Sequence, residues 1–336
     1  MLHPPQTVSI RFVHSILTGV KSRGLCCEPF LIDVGIAPEL LEQLDARVTL
    51  DQYAALFKAL TNSLDDDLLG LLGRPLRRGS FALIARSALG AETLEVAIRR
   101  VARTFRLLQD DVAFESVRQG ELAGLVLRFD RPAEMQAVFL HELLLRTTWR
   151  FLAWLVGGQL PARRFDFAFA PPPHAEGYEK VFPAARHFHC AQSGFWFDVG
   201  HLKNAVRRDE AALRTFLADG QVNILIPPRR EDAFGTRVRA WLQQAQPAWP
   251  DLVATAGALH VTVSTLQRRL ALEGTSFQTL KDELRRDTAI VRLSTSTVSL
   301  AALSEELGFA DSSAFQRAFK SWTGSAPGIY RRSGRL

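Results

Sequence analysis

Two short runs near the end of this 336-residue chain carry side chains suited to reading another polymer. Leu266-Gln267-Arg268 and Phe315-Gln316-Arg317 recur 49 positions apart, as do Leu270 and Phe319. The residues before them recur at 48: Thr255 with Leu303, Ala256 with Ser304, Leu259 with Leu307 and His260 with Gly308. The second copy therefore has one extra residue in its turn. A glutamine amide matches the edge of adenine and an arginine guanidinium the edge of guanine, each through two hydrogen bonds worth about 1–3 kcal/mol of discrimination. The chemistry implied is direct readout of base edges.

Such side chains need a helix that fits the major groove, and each copy has the parts of a helix-turn-helix, over about 252–272 and about 300–322. A small residue (Ala256, Ser304) permits close approach of the two helices, and a turn residue able to adopt left-handed geometry follows (His260, Gly308). Thr262 and Asp311 stand as N-caps, while Leu266 with Leu270 and Phe315 with Phe319 point inward. That leaves Ser264, Thr265, Gln267 and Arg268 in the first copy, and Ser313, Ala314, Gln316 and Arg317 in the second, to meet bases. Arg269, Lys320, Arg331 and Arg332 fit phosphate contacts, which position a protein without reading sequence. Between the copies, 277–293 reads as one helix of about 25 Å, able to hold two recognition helices near one DNA turn, roughly 34 Å, apart.

The charge distribution agrees with this placement. The chain carries +6 overall, but residues 1–228 hold 26 Lys and Arg against 25 Asp and Glu, whereas residues 229–336 hold 15 against 10. A basic third on a near-neutral body suits a polyanion-binding module joined to something else. We expect an α+β domain over 1–225, a linker at 226–231 (IPPRRE) and an all-α domain over 232–336 with two helix-turn-helix motifs joined by a long helix.

Within the first part, apolar spacing predicts helices over 8–24, 49–64, 91–108 and 132–157. A hairpin is expected from 112–117 and 122–129 around Gly120, with strands at 165–170 and 194–198. The apolar run 137–160 is interrupted by His141, Glu142, Arg146 and Arg150, so it reads as a buried helix and not a membrane span. The N-terminus lacks the pattern of a secretory signal, which implies a cytoplasmic protein.

The run Gly308-Phe309-Ala310-Asp311-Ser312-Ser313-Ala314-Phe315-Gln316-Arg317-Ala318-Phe319-Lys320-Ser321-Trp322-Thr323-Gly324, followed by Pro327 and Tyr330-Arg331, closely resembles the signature of AraC/XylS-family transcription regulators. Thr265 to Leu270 with Glu273 to Phe277 is similar to the same family, although His260 and Val263 stand where that family has mostly Gly and often Pro. The resemblance covers about 232–332. It implies binding of double-stranded promoter DNA with RNA polymerase as a partner in a family that commonly dimerises and includes activators, and it leaves open whether this chain activates or represses and whether it forms a homodimer. More weakly, Leu68–Gly73, Gly79-Ser80-Phe81, Leu94 to Ala97 and Phe195–Asp198 resemble the arabinose-binding-type regulatory domain of a subgroup, which implies a small-molecule effector but names no binding residue.

His187, His189 and Cys190 could ligate zinc, but alternation along a strand separates Cys190 from the histidines and no fourth ligand is placed, so no metal or other cofactor is expected. Asp65-Asp66-Asp67 reads as a solvated helix end, Arg99, Arg100, Arg103 and Arg106 as the wet face of a helix, and Phe195-Trp196-Phe197 as core. No GxGxxG, P-loop, GxSxG or HExxH occurs, and Cys26, Cys27 and Cys190 lack the neighbours of an activated nucleophile, so no enzyme is expected. The alternative is an N-terminal metal sensor or enzyme-like domain with DNA binding as its output.

Overall fold

The computed structural model describes residues 6–132, 135–158, 160–225 and 234–332. The first part of the chain forms β1 (Thr7–Ser9), α1 (Ile10–Ile16), α2 (Thr18–Ser22), α3 (Glu28–Asp33), β2 (Arg47–Thr49), α4 (Leu50–Leu64), α5 (Ser80–Ala88) and α6 (Leu94–Leu108). Then follow β3 (Val112–Gln119), β4 (Leu122–Phe129), α7 (Val138–Leu155), β5 (Arg164–Asp166), α8 (Tyr178–Val181), β6 (Ala185–His187), β7 (Gly194–Asp198) and α9 (Glu210–Leu225). The last part is helical: α10 (Phe234–Gln244), α11 (Leu252–Ala258), α12 (Val263–Leu272), α13 (Phe277–Thr295), α14 (Leu300–Glu306), α15 (Ser312–Thr323) and α16 (Pro327–Arg332). An α+β portion is thus followed by an all-helical one.

The packing does not follow a single cut near residue 226. One unit joins Met1–His14 and Glu28–Leu56 to Pro228–Leu336, and the other joins Ser15–Cys27 to Phe57–Pro227. The expected linker at 226–231 lies outside the described residues.

In the second unit a five-stranded sheet has the order β3-β4-β7-β5-β6, antiparallel except for the parallel β5–β6 pair. The expected hairpin forms with Gly120 at φ +57°. Gly124 faces Trp196 across β4–β7, and an added Cβ would lie 2.7 Å from the indole ring, so glycine is required by close approach. Trp196 donates Nε1–H to Asp166 Oδ2 at 2.7 Å beneath the Arg164 guanidinium. The strand at 165–170 stops at Asp166. Beyond it, Phe167 donates its N–H to the His187 carbonyl at 2.8 Å, stacks on Phe188 and meets Phe182 edge-on, so its burial continues past the end of the strand.

Of the polar interruptions of α7, His141, Glu142 and Arg146 are buried and Arg150 is half-buried. Glu142 accepts the Tyr178 hydroxyl and a 2.6 Å hydrogen bond from His174 Nε2. No described helix is long and apolar enough to cross a membrane.

Two expectations for this region are corrected. Asp66 is fully buried and its carboxylate accepts the N–H groups of Leu68, Gly70 and Leu76 at 2.8–2.9 Å, while Asp67 accepts those of Gly79 and Phe81; the acidic run organises a turn instead of facing water. His189 adopts φ +58° after β6 has ended at His187, which breaks the strand alternation assumed for the HFHC run. His187 Nδ1 lies 3.1 Å from Asp166 Oδ1.

In the first unit, the helix expected from residue 8 starts only at Ile10, because Thr7–Ser9 pairs antiparallel with Arg47–Thr49. Thr49 closes β2 and also starts α4: its hydroxyl accepts from Gln52 N–H and its own N–H donates to Gln52 Oε1, a capping box. The resulting ribbon packs against α13, with Thr7 Oγ1 donating to Asp287 Oδ1 at 2.6 Å and Arg47 Nε to Thr7 Oγ1 at 2.7 Å.

Candidate nucleic-acid interface

Helices α12 and α15 are built alike from local signals. Thr262 accepts from Thr265 N–H at 3.2 Å and Asp311 from Ala314 N–H at 2.7 Å, so both expected N-caps are present. Ahead of them, His260 at φ +54° and Gly308 at φ +69° take the left-handed geometry that ends α11 and α14. Histidine tolerates at the first turn what glycine does without strain at the second. Ala256 and Ser304 are both buried, as close helix approach requires.

The inward residues are Leu266, Leu270, Phe315 and Phe319, all with no exposed surface. Phe319 meets Tyr330 of α16 edge-on, and Phe315 packs against Phe309. Because these anchors occupy one face of each helix, the opposite face turns outward. Ser264, Gln267, Arg268, Ser313, Gln316 and Arg317 are exposed; Thr265 and Ala314 are half-buried beside the caps. The eight candidate base-reading residues thus lie on two exposed helical faces of similar chemistry.

The candidate phosphate contacts divide. Lys320 is exposed near the end of α15. Arg269 is exposed but lies over the Phe234 ring at 5.1 Å, held where it can still present N–H groups outward. Arg331 differs: its guanidinium donates to the Val298 carbonyl, so at least one of its donors serves the fold. The side chain of Arg332 lies outside the described residues.

Each helix pair also has a brace that local sequence patterns do not disclose. Glu273, just past α12, accepts the N–H groups of Phe234 and Gly235 at 2.7 and 2.9 Å and so caps α10. At the second turn Arg285 stacks between Trp249 and Phe309, 5.1 and 5.0 Å from the ring centres, and reaches the Gly308 carbonyl at 3.3 Å. Burial pulls the Arg285 pKa down, consistent with a guanidinium that serves the fold. The signal for the second brace is the aromatic and basic spacing of Trp249, Arg285 and Phe309, which becomes meaningful only with the tertiary arrangement.

Asp311→Ala should lower stability by about 1 kcal/mol, read as an earlier denaturant midpoint, with Asp311→Asn close to the parent. An unchanged midpoint for the alanine variant would show that α15 does not depend on its cap.

Comparison with known proteins places these features. Residues 24–206 match the family model described as the arabinose-binding domain of AraC transcription regulator, N-term, and residues 255–333 match a helix-turn-helix domain. The chain is 28% identical to the ornithine utilization regulator of Pseudomonas aeruginosa, over 98% of this chain and 97% of that protein. It is 39% identical to an uncharacterized HTH-type transcriptional regulator of Mycobacterium tuberculosis, over 99% of this chain and all of that one. The crystal structure of the transcriptional regulator CdpR from Pseudomonas aeruginosa aligns over 97% of this chain and 98% of its own, at 21% identity and a TM-score of 0.32.

Proposed function

The chain belongs to the AraC/XylS family of DNA-binding transcription regulators with an arabinose-binding-type N-terminal domain, and from this premise we propose that it grips promoter DNA through two helix-turn-helix motifs in one chain. The motifs are α11–α12 and α14–α15, and α13 is the rod between them: its 19 residues make it about 28 Å long. The observation that carries this reading is the recurrence of the same arrangement twice, with capped helices, buried inner faces and Gln and Arg outward at equivalent positions.

Base contacts are assigned to the eight outward residues of α12 and α15, and phosphate contacts to Arg269, Lys320 and Arg332, with Arg331 contributing only the donors left by Val298. The DNA-reading function lies in residues 232–336, and effector sensing in 1–225. The name of the ornithine utilization regulator, similar over nearly its whole length, supports a regulator that answers to a metabolite. We place the protein in the cytoplasm with its promoter, with RNA polymerase and a second copy of the chain as partners, and we assign it no catalytic step. Burial pushes the thiols of Cys27 and Cys190 up, away from nucleophilic activation. Among the described residues there is no group of three or more His, Cys, Asp or Glu side chains arranged to hold a metal ion.

Footprinting of the full-length protein on the promoter it regulates tests this proposal. Methylation protection of guanines in two major-groove segments about 10 base pairs apart, on one face of the duplex, is expected from a single chain. Protection of one segment only, unchanged by the oligomeric state, would overturn the two-motif grip.

A further inference from the structure

The unit formed by Ser15–Cys27 and Phe57–Pro227 contains a cavity of about 110 Å³ between α4, α5, α6, β3 and α7. Five phenylalanines, Phe57, Phe81, Phe105, Phe114 and Phe151, contribute rings to its wall, each from a different element. Aliphatic side chains fill most of the remainder. The polar side chains on the wall are Thr147, Thr148 and Asp67, and no Lys, Arg or His is among the described lining residues.

We infer that this cavity binds a compact, uncharged, apolar molecule about one ring in size, and that such a molecule is the effector; this rests on the regulator reading above. Size sets the first limit. Dry apolar cavities of about 150 Å³ take up benzene, so a space of this order admits one ring with little more. Shape and chemistry set the second. Rings arranged edge-on, as Phe81 and Phe151 are at 5.8 Å and Phe105 and Phe114 at 4.7 Å, favour a flat or compact apolar guest.

Charge sets the third limit. An anion would enter without a cationic partner, at a cost of several kcal/mol, and would meet the Asp67 carboxylate. A cation finds less than the presence of Asp67 suggests. That carboxylate already accepts the N–H groups of Gly79 and Phe81 at 3.3 and 2.9 Å and so faces the positive end of α5. The better cation-binding rings, Trp and Tyr, are absent from the described lining. Burial also pushes the Asp67 carboxyl above its ordinary range, which weakens its claim on a counter-ion. Thr147 and Thr148 leave room for one hydroxyl on the guest.

The test is thermal unfolding of the full-length protein with toluene, phenol, sodium benzoate or tetramethylammonium chloride. At a concentration a hundredfold above its Kd, toluene or phenol should raise the Tm by about 5 °C, with less than about 1 °C for the two ions. Thr147→Phe, at a half-buried position on the wall, and Leu144→Phe should each abolish the shift by filling the space. Saturation-transfer NMR of toluene on the unaltered protein reads the same contact even where a variant fails to fold. A shift from benzoate or tetramethylammonium without one from toluene, or no shift and no saturation transfer from either neutral probe, overturns the inference. Promoter binding by the same preparation separates the two levels: its loss defeats the regulator reading, and its persistence with no neutral ligand defeats only the ligand class.

Discussion

Arg268→Ala and Arg317→Ala should each weaken binding to the cognate promoter by roughly ten- to a hundredfold while changing affinity for random DNA by no more than about twofold. Both guanidinium groups are on exposed helical faces whose opposite sides are anchored by fully buried residues, so their removal deletes a contact without disturbing the fold. A bidentate arginine–guanine pair supplies about 1–3 kcal/mol of discrimination, and 1.4 kcal/mol is a factor of ten. Lys320→Ala is the contrast. A lost phosphate contact should reduce affinity for all sequences alike and lower the slope of log K against log salt by about 1. Competition titrations with specific and random duplexes at several salt concentrations measure both quantities. Equal losses on the two duplexes for Arg268→Ala or Arg317→Ala would remove these residues from the base-reading set.

The second large effect is expected where the β1–β2 ribbon meets α13. Asp287 of α13 is nearly buried, and Thr7 Oγ1, the Arg286 guanidinium at 3.2 Å and Arg47 at 4.0 Å surround one of its oxygens. Arg47 in turn donates to the Thr7 hydroxyl and, at 2.8 Å, to the Thr7 carbonyl, while its backbone N–H reaches the Tyr330 hydroxyl at 3.2 Å. Burial draws the Arg47 pKa down, with neighbouring Arg286 acting the same way and Asp287 opposing both. Deleting the carboxylate leaves the Arg286 guanidinium and the Thr7 hydroxyl without their acceptor and removes the counter-charge beside Arg47. Asp287→Ala should therefore destabilise the protein by about 3 kcal/mol, lowering the Tm of this unit by about 6–12 °C. A Thr7→Ala/Asp287→Ala double-mutant cycle measured by denaturation should return a coupling above about 0.5 kcal/mol. Additive single effects would show that ribbon and helix are adjacent without being energetically joined.

Helices α12 and α15 were legible because every signal that builds them is local. Thr262 and Asp311 cap within three residues, His260 and Gly308 end the preceding helices, and the buried positions recur every four. The hairpin and β7 were legible for the same reason: alternation and Gly120 act over a few residues. What escaped depends on distant partners. Val8, Phe12, Ile16 and Val20 fit one helical stripe, yet Val8 pairs with Val48 forty residues away, and ladder bonds outweigh a weak local preference. Helix α5 is not among the elements expected from apolar spacing, and its N-terminus is satisfied by Asp67, thirteen residues upstream of Ser80, after a left-handed Gly79. The cavity draws walls from five elements and from the stretch between α4 and α5, so no spacing in the sequence could collect them.

Assembly order follows from the ribbon formed by β1 and β2. Thr7 and its acceptor Asp287 are 280 residues apart. At about 5–20 residues per second on the ribosome, some 14 to 56 seconds separate the synthesis of one from that of the other. Strands β1 and β2 are thus made long before the helix they pack on, and until α13 is made, Arg47 lacks the Asp287 carboxylate. A nascent chain arrested before residue 277 should carry this ribbon unprotected from proteolysis while the five-stranded sheet is already folded, so the unit that holds the ribbon closes only after α13 has been made.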